Sequence, residues 1–215
     1  MELTVRAATF FNEGGLFMYP IAAVLILTLA IALERFVFLT VSLHRNRCLW
    51  KKLEPLLKGA NLGEAEQLLK SSRATIAVVL LGTLQQSRSS GHFSDMETVA
   101  EQQLFEILPG VERRTSYLAT FSNVATLLGL LGTVFGLIGA FGALGNADPM
   151  EKANLLSAGI SEAMSCTAFG LMVAIPALLL HAYLQNQTLS LIDAMENASA
   201  RFVRWLRRPA AVVAA

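Results

Sequence analysis

Charge is absent from three long stretches of this chain, and those gaps constrain its fold more than any motif does. Leu16 to Leu33, Thr115 to Ala147 and Ala163 to Ile192 contain no Asp, Glu, Lys or Arg over 18, 33 and 30 residues. About 20 apolar residues suffice to cross a hydrocarbon core. Within that core every backbone amide and carbonyl must be paired inside the protein, so runs of this kind are read as helices. Hydrophobic residues make up 54% of the chain and charged ones 15%, well below the quarter expected of a soluble domain, which excludes a soluble globular fold. The expected fold class is an all-α integral membrane protein with three transmembrane helices. A helix of 33 residues is roughly 50 Å long against a core of about 30 Å, so the second and third helices should extend into a cytoplasmic helical stalk.

The basic residues orient the spans. Ten Lys or Arg lie between Leu43 and Arg114 and four more beyond Ile192, whereas the stretch before Leu16 has only Arg6 and the second turn only Lys152. The positive-inside rule places the N-terminus outside and the long loop and the tail in the cytoplasm. The expected division is an external amphipathic leader over 1–15, a first transmembrane helix over 16–43 and a cytoplasmic helical loop over 44–114. A second span over 115–147, a short external turn over 148–161, a third span over 162–192 and a basic cytoplasmic tail over 193–215 complete it. Glu2 precedes any positive charge and the first apolar run begins late, so the first helix reads as retained and not as a cleaved signal. A net charge of +1 offers nothing to a nucleic acid.

The loop reads as helical throughout. One short helix is expected over Cys48 to Leu57, closed by Gly59, and a second opens on an Asn61–Glu64 capping box. A third covers Thr75 to Gln86, and Ser94 with Glu97 caps a long helix that Pro109-Gly110 should kink. Glu34 and Arg35 are expected near the cytoplasmic interface, with the arginine snorkelling outward. Cys48 and Cys166 fall in different segments with no paired spacing, and three scattered histidines make no metal set, so no cofactor is expected.

The chemistry is concentrated in the later spans. Ser122, Thr126, Gly129, Thr133, Gly136 and Ala140 form a stripe of small and hydroxyl residues, continued one position round by Ala125, Gly132, Gly139 and Ala143. The third span has Gly159, Ala163, Thr167, Gly170, Ala174 and Ala177. Small faces let helices approach closely in lipid, so Gly129, Gly132, Gly136, Gly170 and Ala174 are expected to pack. A membrane threonine such as Thr133 or Thr167 ordinarily bonds back to its own helix. Glu162 is different in kind: a carboxylate at membrane depth is costly and points to an ion or proton path, although it could also simply end the outer turn.

Leu128-Gly129-Leu130-Leu131-Gly132-Thr133-Val134-Phe135-Gly136 resembles the second-span signature of the MotA/TolQ/ExbB proton channel family. Gly159-Ile160-Ser161-Glu162-Ala163, Cys166-Thr167-Ala168-Phe169-Gly170-Leu171 and Ala174-Ile175-Pro176-Ala177 resemble its third-span signature. Gly14-Gly15, Met18-Tyr19-Pro20 and Leu33-Glu34-Arg35 resemble the first span of the ExbB and TolQ branch, and the short loop favours that branch over four-span flagellar stators. Thr126, Ala158 and Ala182 stand where the family often has Pro, Pro and Asn. The resemblance implies a proton-channel stator subunit of the bacterial inner membrane, driven by the proton motive force. It implies a homopentamer around two single-span helices of an ExbD or TolR type of partner, which carries the protonatable Asp. Thr133, Thr167 and Glu162 would then form the polar surround, and a TonB-like, TolA-like or motility effector would receive the work. The lack of extra ligating oxygens leans toward protons over sodium.

Two other classes remain. A passive scaffold would use the small faces for assembly alone. A membrane enzyme would need a nucleophile and base, and His181 stands alone near the inner end of the third span, where packing or an interface accounts for it. The basic tail from Arg201 to Arg208 reads as a solvated or lipid-facing surface.

Overall fold

The computed structural model describes residues 14–59, 61–89, 93–145 and 148–206. Most of the expected leader (1–13) and the end of the tail (207–215) lie outside the described residues. Among the described residues all regular structure is helical. The order is α1 (Met18–Lys58), α2 (Leu62–Ser71), α3 (Thr75–Ser89), α4 (Phe93–Glu112), α5 (Thr115–Ala143) and α6 (Pro149–Leu206). Three stretches of the described residues are long and apolar enough to cross a membrane: α1, the run of α4 and α5 from Ser94 to Ala143, and α6 from Glu151. The chain divides into two compact units, Met1–Leu33 with Arg114–Tyr183, and Glu34–Arg113 with Leu184–Ala215.

The first unit contains the apolar half of α1, all of α5 and the first part of α6. Its core is Ile21, Val24, Ala125, Val173 and Ala174, with Leu25, Phe121, Leu128 and Phe169 against it. The glycines bring α5 and α6 together antiparallel. A Cβ on Gly129 would stand 3.3 Å from the Cα atoms of Thr167 and Gly170, and one on Gly136 would stand 3.1 Å from the Ala163 Cβ. Close approach of this kind brings dispersion contacts where lipid offers no hydrophobic driving force. Only 28–33% of each apolar window is buried within the chain, so most of it is left for lipid or other chains.

The second unit holds α2, α3 and α4 with the distal parts of α1 and α6. Val79, Met96, Ala100 and Val203 form its core, extended by Leu104, Ile107 and Leu206. Asn46 Oδ1 accepts the Ile76 amide at 3.4 Å, and Glu66 bonds both Lys70 and Arg88 at 2.6 Å, which ties α2 to α3.

Several local expectations are corrected. The short helix expected from Cys48 is the distal part of α1, because nothing between Leu43 and Cys48 breaks a helix: charge changes the solvent, not the backbone. α2 starts where expected, but Asn61 makes no side-chain cap, and its carbonyl instead accepts the Ala65 amide at 3.0 Å. Ser94 lies inside α4 and accepts the Thr98 hydroxyl through its carbonyl. α4 runs through Pro109 and stops at Glu112, followed by Arg114 in the left-handed region at φ 74°, a conformation that costs a non-glycine residue about 1–2 kcal/mol. The external turn expected over 148–161 is helical from Pro149. A first-position proline gives up no amide bond, and the Asp148 carbonyl accepts the amides of Glu151 and Lys152. Arg35 does not snorkel: it is buried, stacks over Phe38 at 5.2 Å and donates to the Val111 carbonyl at 3.4 Å in the last turn of α4, where a cation complements the helix dipole.

Candidate proton site in the apolar helices

The polar side chains of the first unit are bound into its helix contacts. Ser122 donates its hydroxyl to the Ala174 carbonyl at 2.8 Å, fully buried between α5 and α6. Thr167 donates to the Gly129 carbonyl at 3.1 Å, across the same contact. This is not the back-bond that a lone membrane threonine usually makes. Thr133 does make the local bond, to the Leu130 carbonyl at 2.6 Å. His181 sits half-buried with Nδ1 against the Thr115 carbonyl at 2.9 Å, so that nitrogen carries the proton and the ring acts as a packing group.

The two threonines therefore have their hydrogens committed to carbonyls, yet each oxygen keeps lone pairs. Such a hydroxyl can accept a hydrogen bond and has none left to give. It can meet a neutral carboxylic acid, which donates, but offers nothing to a carboxylate.

Glu162 is half-buried on the first half of α6. Its carboxylate lies against Gly15, in the space a Cβ there would fill, and Gly15 holds φ at 69°. The preceding residue is also tied down, since Cys166 Sγ donates to the Gly14 carbonyl at 3.0 Å. Glu162 and Ser161 border a cavity of ≈ 690 Å³ whose other walls include Phe17, Gly132, Phe135, Gly136 and Gly139. The rings of Phe17 and Phe135 meet at 5.2 Å on this side. A Cβ on Gly139 would meet nothing within 4 Å, so this part of the small stripe is open within one chain.

The three expected site residues are thus not gathered in one recess. Glu162 opens on the cavity, and Thr133 and Thr167 do not line it. Thr167 lies five positions after Glu162 on one helix, about 7.5 Å along the axis and about 140° around it. Of the expected packing residues, Gly129, Gly132, Gly170 and Ala174 are buried and Gly136 is partly so. Gly15 and Cys166 stand in the sequence only as members of family-like motifs, not as site residues. A Gly-Gly pair ahead of an apolar helix signals only a turn, and nothing local places it beside a residue so far along the chain.

A model of the MotA/TolQ/ExbB proton channel family matches residues 71–197, more than half of the chain, including Thr133, Glu162 and Thr167. The chain belongs to that family. Among relatives, ExbB-like 1 of Synechocystis sp. is 33% identical over 82% of this chain and 69% of its own length. The biopolymer transport protein ExbB of Pseudomonas putida is 25% identical over 84% of this chain and 59% of its own, and the Tol-Pal system protein TolQ of Haemophilus influenzae is 36% identical over 45% and 40%. The chain thus spans 59% of the length of the ExbB relative and 40% of the TolQ relative. Three apolar helices together with this membership make it a multi-pass membrane protein of a proton-channel family.

Proposed function

We propose that this chain is the channel-forming subunit of a motor in the bacterial inner membrane, driven by the proton motive force. Its N-terminus faces the periplasm and its C-terminus the cytoplasm. Five copies surround two single-span helices of an ExbD or TolR type of partner, whose Asp carries the proton. The work passes to a TonB-like, TolA-like or motility effector. The observation that carries this reading is the α5–α6 contact with Thr167 bonded across it to Gly129. A hydroxyl fixed in this way presents only an acceptor to an apolar passage. It admits the partner's carboxyl when protonated and disfavours it when charged, because an unpaired charge away from water is expensive. Glu162, held against the Gly15 turn, supplies a second proton-binding group nearer the outer end. Each proton crossing about 100 mV releases roughly 2.3 kcal/mol, enough to bias a step between two partner positions.

The test is proton uptake by vesicles holding the chain together with its single-span partner. Thr167→Val keeps the shape, removes the acceptor and is expected to abolish potential-driven uptake while the complex still assembles. The scaffold reading predicts the opposite: Thr133→Val and Glu162→Gln would leave output intact wherever the oligomer forms.

A further inference from the structure

The second unit segregates its charges by helix. α4 carries Asp95, Glu97, Glu101, Glu106 and Glu112 and neither Lys nor Arg. The distal part of α1, from His44 to Lys58, carries Arg45, Arg47, Lys51, Lys52 and Lys58 against Glu54 alone. Two members of each set border a recess: Glu97 and Glu101 one, Arg45 and Lys52 the other. Between α4 and the end of α6 lies a groove of ≈ 730 Å³ with Glu97, Glu101 and Glu196 among its lining residues and Ala100, Leu104 and Val203 on its apolar floor. Phe105 stands 70% exposed on this groove, and Arg204, the one lining cation among the described residues, donates Nε to the Ala200 carbonyl of its own helix at 3.2 Å. The other recess, of ≈ 320 Å³, is bordered by Arg45, Lys52 and Arg73 around the exposed Cys48.

Topology alone explains only half of this pattern. Positive residues next to a span hold the loop on one side of the membrane, which accounts for Arg45 and Arg47. It gives no reason for a helix of five acids without a cation, or for an exposed phenylalanine beside them. The acids of the groove and the cations of the recess take no part in the ion pairs at Glu54 and Glu66 among the described residues. Both surfaces belong to the same compact unit, Glu34–Arg113 with Leu184–Ala215. Copies of one membrane protein share an orientation in the bilayer, so lateral neighbours present this unit to each other.

We propose that the acidic groove of α4 and α6 receives the basic Arg45–Lys52 face of α1 from a neighbouring copy of this chain. The proposal rests on the multi-copy part of the function above and names the surfaces that make the contact. Phe105 and the apolar floor supply buried area, while the opposite charges set the register and reject wrong partners.

Native Cys48 makes the contact testable in membranes holding the full chain. A second thiol is introduced by Ala200→Cys, at an exposed position lining the groove. Mild oxidation is expected to give covalent dimers through Cys48 of one copy and position 200 of the next, identified by mass spectrometry of the linked peptides. Adding Cys48→Ser should remove them, and Cys166 is buried. Adding Glu97→Lys with Glu101→Lys should lower the cross-linked fraction at least about tenfold, because like charges then face each other. Lys52→Glu with Arg73→Glu in that background should restore most of it. Dimers linked only between like positions would overturn the proposal, as would cross-linking indifferent to charge reversal. So would reversals at Lys52 and Arg73 that change only the binding of anionic-lipid vesicles. None of these readouts uses proton flux, so a failure here leaves the channel reading standing, and lost flux with intact cross-linking would fault only that reading.

Discussion

At Gly15 a left-handed backbone and a missing side chain together make room for the Glu162 carboxylate. Two costs of substitution can be separated there. Gly15→Ala is expected to lower stability by about 1–2 kcal/mol through backbone strain alone. The carboxylate is the free end of a flexible side chain and can move aside at little cost. Gly15→Asn relieves part of the strain, since Asn tolerates this region, but still occupies the space. Thermal unfolding of the purified protein should therefore rank Asn above Ala, while proton uptake should fall alike in both. Uptake that recovers with Asn would show that the turn's conformation matters and the seat of Glu162 does not. Thr167 and Glu162 were legible as polar residues in apolar helices. Their partners were not, because the Gly129 carbonyl and the Gly15 turn come from elsewhere in the chain and side-chain spacing does not encode such contacts.

Among the elements, the α5–α6 pair can be graded glycine by glycine. A Cβ on Gly170 would stand 2.7 Å from the Ala125 carbonyl oxygen and 3.0 Å from the Gly129 Cα, both backbone atoms that can yield only if the helices part. Gly170→Ala should therefore destabilise the unit by about 1–3 kcal/mol or more, as overpacking does. Gly139→Ala meets open space, and in a dispersed single chain it should stay within about 0.5 kcal/mol of the parent by the same unfolding measurement. A loss of assembly in Gly139→Ala without a loss of chain stability would place Gly139 against a neighbouring copy. The stripe was legible as small residues at helical spacing, but the sequence treats Gly170 and Gly139 alike. Only the crossing of the two helices distinguishes them.

α2 and α3 carry a pH dependence of known sign. The Glu66 carboxyl lies below the ordinary carboxylate range, first through its bond to Lys70, with Arg88 adding charge. A depressed acid stabilises above its unfolded value and loses that contribution as pH falls through the folded one. Glu66→Gln should thus flatten the acid side of the stability profile and leave the profile unchanged in shape above the carboxylate range. The effect is small because the group is solvated. An unaltered acid limb would show that the pair does not hold in solution.

For the whole molecule, the fold class followed from the charge-free runs because lipid leaves the backbone so few options. Where elements end was harder to read. Charge ends no helix after Leu43 or before Glu162: both positions lie within helices, since neither Arg45 nor Lys152 interferes with a backbone bond. The division into two units was not legible either, because α1 and α6 pass through both without a break. The charge asymmetry of α4 against the distal part of α1 is plain in the sequence, but its recesses exist only once helices pack. The most direct measurement is potential-driven proton uptake by vesicles carrying the chain with its single-span partner, comparing the parent with Thr167→Val and Thr167→Ser at equal amounts of assembled complex. Uptake lost at least about tenfold with Val and largely kept with Ser, which restores the acceptor, is the expected result. Uptake unchanged with Val in a fully assembled complex would contradict the account.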